Sequence, residues 1–475
     1  MASAARFSFQ DSPSWRKPDQ HLLGSDFVVV EPKTKWDNFP TQVKFDLESN
    51  RSFLFGPMTK FNLTGSFEKK ETEAGLWSSL VAGDEENVML APNWLEMLTK
   101  EVAVFHGDYK ICTSNEAQHI SPHLNTFLLA NMEKLPKSLL CPQPESPGYC
   151  VPTKNTAWNF DSQEWKEYGK LIFSQESINF DYTFLHVFPF YQNAEHLVNG
   201  NLPYAIPLPA LGKLEVVITF KDDQDCIFKS KTANDGVKYR FCLKKLQLCI
   251  EEARLSSAYE KSLYSSKRVL PYHGVTKIMQ AEHISPSSLY HSITFPKIPA
   301  PEGLFIFALP KDVIGGTWKF DSVTDGKIFK PLNIHELSVA YNNDSYAHKE
   351  PNMGMVENNF MEIKSFIDHL TKPPFGMPLD PEKISLALLK SGGVNSIYPH
   401  IYINLCNFAD QSRLVPVNQD ASVLSKEANL DISVKFGTGG ATDGVMYFFY
   451  LFYTDVNLML DMKTKTFQSP YLIKY

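Results

Sequence analysis

The sequence lacks any long hydrophobic run, and it lacks an excess of basic residues. Its longest strongly apolar run, Val445–Tyr453, is far shorter than the roughly 20 residues that a membrane-spanning helix needs. The first ten residues hold no continuous apolar stretch of the kind found in a secretory signal peptide. The formal net charge of −7 disfavours a protein that neutralises nucleic-acid phosphates over its whole surface. We therefore expect a soluble protein, made in the cytosol and without a membrane span.

Cysteine is scarce, with seven residues in a chain of 475, and no two of them form a Cys-X-X-Cys pair. An odd number without such spacing is typical of reduced thiols in an intracellular protein rather than of a disulfide framework. The seven are Cys112, Cys141, Cys150, Cys226, Cys242, Cys249 and Cys406.

Motifs for catalysis and metal binding are also missing. His335-Glu336 begins a zinc-protease pattern but lacks its second histidine, and no nucleophile elbow occurs. The neighbouring acids Glu251 and Glu252 would point to opposite faces of a strand, so they cannot easily converge as a hydrolytic pair. Asp443 and Asp455 are the other acid pair that we considered and disfavoured. We therefore predict no catalytic, cofactor-binding or metal-ligating residue, and no enzyme.

The glycine-rich stretch Gly437–Gly444 is the nearest approach to a phosphate-binding loop. Such a loop needs a strand before it, a helix after it and usually a lysine. Here a strand pattern follows and the stretch contains no lysine, so we predict a flexible hairpin turn.

Alternating apolar and polar residues are the dominant pattern in the chain. Aromatic residues make up 13% and there are 31 prolines, a composition that favours strands joined by loops. In Tyr239–Leu255 the alternation changes phase between Leu243 and Leu246, which predicts a β-bulge. Five further segments show period-two alternation and are predicted to be half-buried strands: Val43–Leu47, Leu214–Phe220, Leu337–Tyr341, Leu430–Phe436 and Val456–Met462.

Helical patterns are few and short. They cover residues 121–132, 360–370 and 380–393, so each half of the chain carries short helices of its own. Both halves of the chain therefore have the same character: many strands and a few helices in loops. We place the link between them near Ser256–Pro271. The predicted division is an amino-terminal arm at 1–26, a first β domain at 27–260, and a linker with a second β domain at 261–475.

The order of elements in the second half resembles that of a known family. The apolar strand Leu304–Pro310 precedes Leu332–Tyr341 and a long loop. Near the end, the aromatic strand Tyr447–Tyr453 runs into a segment with one acid, Asp455, and then into Val456–Asp461. This order resembles the carboxy-terminal jelly roll of double jelly-roll major capsid proteins, with Polinton/Maverick elements, adintoviruses and virophages as the most similar groups. The resemblance follows the element order from Phe27 onward, but it gives no exact strands before residue 180.

The resemblance implies an all-β fold with short helices in loops, built as two tandem jelly-roll β-sandwiches. It implies a structural major capsid protein that forms homotrimeric, pseudo-hexagonal capsomers of an icosahedral shell. The partners would be neighbouring capsomers, penton proteins and minor capsid proteins. The shell would enclose double-stranded DNA without sequence-specific binding. The chain would be made in the host cytoplasm, assembled there or in the nucleus, and located in the virion capsid. No cofactor is implied, and the residues of the assembly interfaces are not specified.

Two other functions remain open on the sequence. One is a minor capsid, spike or domesticated shell protein. The other is a β-sandwich carbohydrate-binding or glycoside-hydrolase-like protein. The aromatic run Tyr447–Tyr453 could stack bases, but it lacks interleaved lysine or arginine, so we predict that it is buried in a sheet. The sequence does not distinguish an active virus from an integrated element, nor does it give the host, the capsid size or any proteolytic maturation.

Overall fold

The fold is described from a computed structural model of the chain. The description covers residues 22–51, 53–54, 60–81, 83–84, 88–90, 98–115, 178–182, 205–206, 208–223, 227–229, 236–257, 269–298, 301–310, 332–341, 344–348, 400–405, 428–461, 464 and 466–468. The predicted helices at 121–132, 360–370 and 380–393 lie outside these residues. Within them, no helix is long and apolar enough to cross a membrane.

The described part of the chain is almost entirely β-structure, with one short helix, α1 (Leu208–Leu211). Its strands are β1 (Leu22–Val30), β2 (Gln42–Leu47), β3 (Phe53–Leu54), β4 (Lys60–Lys70), β5 (Ser78–Ser79), β6 (Val88–Leu90), β7 (Thr99–His106), β8 (Tyr109–Asn115), β9 (Ile178–Tyr182), β10 (Ala205–Ile206), β11 (Leu214–Phe220), β12 (Ile227–Lys229), β13 (Lys238–Leu255), β14 (Val269–Glu282), β15 (Tyr290–Ile298), β16 (Pro301–Pro310), β17 (Ile334–Tyr341), β18 (Asp344–His348), β19 (His400–Asn404), β20 (Ala428–Phe436), β21 (Val445–Asp461) and β22 (Thr466–Gln468).

Three large sheets contain nearly all of these strands. The amino-terminal sheet has the order β10-β3-β13-β4-β5, with β1 added on β13 and β9 on β4. The shared sheet has the order β19-β16-β21-β14-β8-β7-β11-β2, with β22 added on β21. The carboxy-terminal sheet has the order β15-β20-β17-β18, and β6 and β12 form a separate ribbon.

The first sandwich packs the amino-terminal sheet against the β2, β11 and β7 part of the shared sheet. Val43, Phe45 and Leu47 alternate along β2 and are completely buried, as the sequence predicted. The ring of Phe45 meets the ring of Phe61 on β4 across the sandwich, with centroids 5.8 Å apart. These contacts bury apolar side chains of both sheets, which provides the main stabilisation of the sandwich.

The second sandwich packs the carboxy-terminal sheet against the β14, β21, β16 and β19 part of the shared sheet. The alternating side chains that were predicted to be buried on β17 and β20 lie in one core with those of β16 and β21. The core includes Leu304, Ile306, Leu337, Val339, Tyr341, Leu430, Ile432, Val434, Phe436, Tyr447, Phe449 and Leu451. The ring of Phe436 meets that of Tyr447 with centroids 5.4 Å apart.

The two sandwiches are joined within the shared sheet by β8 and β14. These strands pair in parallel, with Lys277 opposite Ser114. Sequence-distant strands can pair in parallel because the chain between them provides the crossover. Each sandwich therefore takes one of its two layers from the same continuous sheet.

The predicted bulge in β13 is confirmed. The register of β13 against β4 shifts between Leu243 and Lys245, and both Lys244 and Lys245 are exposed there. Strand β1 begins at Leu22, so its first residues overlap the predicted arm 1–26. The strands on either side of the predicted link end at Leu255 and begin at Val269.

The prediction of a hairpin turn at Gly437–Gly444 is wrong. The segment connects β20, in the carboxy-terminal sheet, to β21, in the shared sheet, so it crosses from one layer of the sandwich to the other. Gly440 is buried, and a Cβ atom there would lie 2.0 Å from the carbonyl oxygen of Pro286. The Asn333 side chain donates a hydrogen bond to the Gly440 carbonyl (2.5 Å), and Gly437 N–H donates to the Asn333 carbonyl (2.8 Å). Alternation alone could not reveal which sheet each flanking strand joins.

Candidate functional site

The residues that we considered as metal-binding or catalytic groups lie in ordinary positions of the fold. His335 is half-buried on β17, and its neighbour Glu336 forms an ion pair with Lys435 (3.0 Å). Asp443 is exposed in the β20–β21 connection, and its carboxylate accepts a hydrogen bond from Gly444 N–H (2.8 Å). Throughout the described ranges, no group of three or more histidine, cysteine, aspartate or glutamate side chains could hold a metal ion.

The other acids that we weighed lie on strands β13 and β21. Glu251 and Glu252 are consecutive on β13, and their register partners are Phe27 and Asp26 on β1. Consecutive positions of a strand belong to opposite faces, and the placement of both residues on one strand agrees with the argument from the sequence. Asp455 lies on β21 opposite Gly274.

The part of the aromatic run whose side chains the structure describes, Tyr447 to Leu451, is buried, as predicted. Every side chain from Tyr447 to Leu451 is at most 1% exposed, so residues on both faces of this part of β21 are covered. Phe448 stacks on Phe307 of β16 with centroids 5.0 Å apart and planes 9° apart. Burial raises the pKa of the Tyr447 phenol. A run without exposed ring faces has no surface on which bases could stack.

Exposed apolar side chains concentrate on one edge strand. Leu23, Phe27 and Val29 on β1 are 68%, 54% and 53% exposed, and we call these three residues the β1 row. Among the described residues, β1 pairs through one edge only, with β13. A strand with a free edge and an apolar face can bind another polypeptide.

Ion pairs hold the β1 row in place from the opposite face of the strand. Arg254 donates two hydrogen bonds to the carboxylate of Asp26, and Arg51 Nη1 donates a third over 2.8 Å. The hydrogen bond from Arg254 is the main reason why the pKa of Asp26 is lowered. At the end of the row, Gln247 donates a hydrogen bond to Glu31. The polar contacts therefore fix β1 and leave Phe27 and Val29 uncovered.

The outer face of the carboxy-terminal sheet is the second exposed surface. It is polar, with Thr294 donating a hydrogen bond to Asp431 (2.6 Å) across β15 and β20. The hydrogen bond with Glu336 raises the pKa of Lys435. Leu289 and Tyr290, which we call the β15 head, are 52% and 69% exposed where this face begins.

Neither exposed apolar surface was predicted from the sequence. Phe27-Val28-Val29-Val30 is a continuous apolar run, so it carries no alternation that would show which side chains face solvent. The exposed pair at the β15 head is too short to form a pattern. Its exposure depends on how the edge strand meets the rest of the sheet.

Comparison by sequence gives no relatives: no family model matches the chain, and no curated protein does. Comparison of structures does give matches. The Faustovirus major capsid protein matches with a TM-score of 0.52 and 7% identity, over 91% of this chain and 89% of that chain. The mavirus major capsid protein matches with a TM-score of 0.49 and 12% identity, over 93% and 89% of the two chains. A chain of the Sputnik virophage matches with a TM-score of 0.49 and 11% identity, over 94% and 88%.

The Faustovirus match spans both sandwiches, since it covers 91% of this chain. The likeness at 7% identity concerns the path of the backbone and not the side chains. It agrees with the two sandwiches and the shared sheet described above. The fold class predicted from the strand pattern and from the family resemblance is thus confirmed, and the chain has the all-β double jelly-roll fold of these capsid proteins.

Proposed function

We propose that this chain is a major capsid protein whose function is to build a shell. The single observation that carries the proposal is the match to the Faustovirus major capsid protein over 91% of this chain, which includes both sandwiches. A fold alone does not determine a function, because one fold can host many functions. The surface of the described part adds support, since exposed apolar residues lie on two edge strands, three on β1 and Tyr290 on β15, where another subunit can bind.

The proposed assembly unit is a homotrimer with a pseudo-hexagonal outline. Two similar sandwiches per chain give six in a trimer, which suits tiling of an icosahedral shell. We propose the domain limits 27–260 and 261–475 for the two sandwiches. We also propose that the chain is related to the major capsid proteins of Polinton/Maverick elements, adintoviruses and virophages. Neighbouring capsomers, penton proteins and minor capsid proteins are the proposed partners, and the virion capsid is the proposed location, with double-stranded DNA inside.

The proposed interaction with DNA is enclosure and not sequence-specific binding. The chain has 46 lysine and arginine residues against 53 aspartate and glutamate residues. Since phosphate neutralisation requires clustered cations, this balance favours other, basic proteins as the condensing partners of the genome.

The proposed function assigns no catalytic residue. Polar groups in the second core serve packing: Tyr341 Oη donates to the Ile298 carbonyl (2.7 Å), and Tyr447 Oη donates to the Leu332 carbonyl (2.9 Å). Such bonds satisfy buried carbonyls and fix the connections between strands.

The carbohydrate-binding alternative receives little support from the described aromatic residues. Trp36 is half-buried and donates a hydrogen bond to the Leu243 carbonyl (2.5 Å). Trp77 lies beneath the guanidinium of Arg240, which is 4.1 Å from the ring centroid. Phe27 and Tyr290 are exposed but belong to different sheets, so they do not form one stacking platform.

Mass photometry of the purified chain, followed by negative-stain microscopy of the same sample, tests the proposal. We expect particles of three times the 53.9-kDa chain mass, with hexagonal outlines or closed shells. A monodisperse monomer at micromolar concentration, unchanged across salt and pH, would overturn the proposal. A glycan-binding screen of that monomer would then test the sandwich-binder alternative.

A further inference from the structure

We propose that residues 31–36 form a strap that closes the β2 edge of the first sandwich, and that Asp46 is a latch from which the strap detaches reversibly while the rest of the sandwich stays folded. This device goes beyond the proposed function and is independent of it, because it concerns the local opening of a single chain.

The strap connects the two layers of the first sandwich. It follows β1, which belongs to the amino-terminal sheet, and it precedes β2, the last strand of the shared sheet. Its two ends contact the amino-terminal sheet. Glu31 accepts a hydrogen bond from Gln247, and the Trp36 indole donates one to the Leu243 carbonyl (2.5 Å), at the bulge of β13. The polar contacts of the strap therefore tie the amino-terminal sheet to the start of β2.

The middle of the strap is bound along β2. Lys33 N–H donates a hydrogen bond to the Lys44 carbonyl (2.8 Å), and Lys44 N–H donates one to Thr34 Oγ1 (3.2 Å). The ladder partner of β2 is β11, on its other side. Because β2 is the last strand of the shared sheet, the strap covers part of the outer edge of that sheet.

The strap itself buries little apolar surface. Its side chains alternate between exposed and half-buried, and none of the six is fully buried. By contrast, Val43, Phe45 and Leu47 on the adjoining β2 are completely buried. Segments with few buried apolar contacts open locally at a lower free energy than the core. Opening of the strap therefore leaves the core contacts of β2 in place.

Two lysines share the carboxylate that holds the strap. Lys33 of the strap and Lys213, which lies just before β11, both contact Asp46 Oδ2, and the distance from Lys213 is 2.6 Å. The other oxygen, Oδ1, is buried and accepts no hydrogen bond within the described part of the chain. The nearness of Lys213 is the largest reason why the pKa of Lys33 is lowered. The two ammonium groups therefore compete for one oxygen.

This sharing makes detachment of the strap easy. A partly buried carboxylate that loses its only cation is left with an uncompensated charge, which is strongly unfavourable. Asp46 is only 13% exposed, but Lys213 stays beside it when Lys33 leaves. Detachment also removes the repulsion between the two ammonium groups. Glu215, opposite Asp46 on β11, has its own partner in Lys44 (3.5 Å), so it does not depend on the strap.

Hydrogen–deuterium exchange of the full chain, resolved to single amides, tests the strap. The Lys33 and Lys44 amides report its opening, and the Phe45 amide is the internal control, because Phe45 pairs with Val216 in the ladder of β2 and β11. We expect the two strap amides to exchange faster than the control amide at low salt. At about 1 M salt, where the screening length is about 3 Å, they should accelerate about two- to fivefold relative to the control. Strap amides that exchange as slowly as the control at both salt concentrations would overturn the inference.

Lys213→Met tests the sharing of Asp46, because its expected effect is opposite in sign to that of an ordinary lost contact. Without its competitor, Lys33 should hold Asp46 more firmly, and the strap amides should exchange about two- to fivefold more slowly. Lys110→Met is the matched control. Lys110 is 43% exposed against 40% for Lys213, and it pairs with Glu101 (2.7 Å) elsewhere on the shared sheet, so strap exchange should not change. Faster strap exchange in Lys213→Met would contradict the competition.

Asp46→Asn removes the latch itself. The Lys44 amide should then exchange faster at low salt, and its acceleration with salt should disappear. Lys33→Met is expected to have the same two effects, and it keeps the test decisive if Asp46→Asn does not fold, since Lys33 is 54% exposed. If the Lys44 amide keeps the salt dependence of the unsubstituted chain in these variants, Asp46 is not the latch and the inference is wrong.

Discussion

The phenol of Tyr447, near the start of β21, donates a hydrogen bond to the carbonyl of Leu332 over 2.9 Å. Leu332 lies two residues before β17. The same phenol oxygen accepts a hydrogen bond from Thr442 N–H over 2.8 Å. One buried hydroxyl thus joins the β20–β21 connection to the segment before β17.

Tyr447→Phe should therefore destabilise the chain. The substitution keeps the ring and removes both hydrogen bonds, which leaves a buried carbonyl and an amide unsatisfied. The expected loss is about 1–3 kcal/mol in the free energy of unfolding. Tyr341→Phe, which removes one bond to the Ile298 carbonyl, is the comparison and should lose less. Urea denaturation at one fixed protein concentration measures both, and equal stability of Tyr447→Phe and the unsubstituted chain would contradict the expectation.

The glycines of the β20–β21 connection give a matched pair of variants. A Cβ at Gly440 would lie 2.0 Å from the Pro286 carbonyl oxygen, a backbone atom that cannot move away easily, whereas a Cβ at Gly439 meets nothing within 4 Å. Both glycines have positive φ, +77° and +97°. Gly439→Ala should cost about 1–2 kcal/mol from its dihedral angles alone. Gly440→Ala should cost clearly more, and thermal melts of the two variants that coincide would show that the close approach is not important.

The core of the second sandwich should be sensitive to truncation at β20. Ile432 is completely buried among the side chains of both layers. Ile432→Ala removes apolar contacts and leaves a cavity, so the free energy of unfolding should fall by about 2–5 kcal/mol. Leu76→Ala is the control, since Leu76 is 91% exposed and its truncation should change stability by less than about 0.5 kcal/mol. Denaturation curves with the same midpoint for the two variants would contradict the assignment of this core.

The Asp26 carboxylate predicts a pH dependence of stability. Its pKa is lower in the folded chain than in the unfolded chain, mainly because Arg254 donates hydrogen bonds to it. Its contribution is therefore complete above the unfolded pKa, about 3.9, and is lost as the pH falls through the lower folded pKa. Asp26→Asn should flatten the fall in melting temperature between about pH 5 and pH 2. Arg254→Gln should produce part of the same flattening, and parallel profiles for all three chains would show that the ion pair does not contribute.

The sequence predicted the parts of the fold in which local pattern and final environment agree. Val43, Phe45 and Leu47 alternate with polar residues because one face of β2 meets the core and the other does not. The bulge at Leu243–Lys245 was visible for the same reason, since it changes the phase of that alternation. The pairing of β8 with β14 was not predictable from such patterns, because it depends on contacts between strands far apart in the sequence.

The exposed apolar side chains of the β1 row and the β15 head were less accessible to prediction than the fold. Val28 and Val29 are identical in type, yet Val29 is 53% exposed while its neighbour faces the inner side of the sheet with Ile250. What distinguishes them is the register of β1 against β13, which the composition of the run does not contain. The error at Gly437–Gly444 has a similar origin, since a glycine-rich connection looks the same whether it joins neighbouring strands or opposite layers.

The shared sheet has a consequence for attempts to divide the protein. Because β8 and β14 lie next to each other in one sheet, expressing either half alone would leave one of these strands as a new sheet edge. Bare strand edges pair readily with other chains, so each isolated half should tend to aggregate. The two sandwiches therefore form a single unit for folding, and a break that separates β8 from β14 should disrupt both.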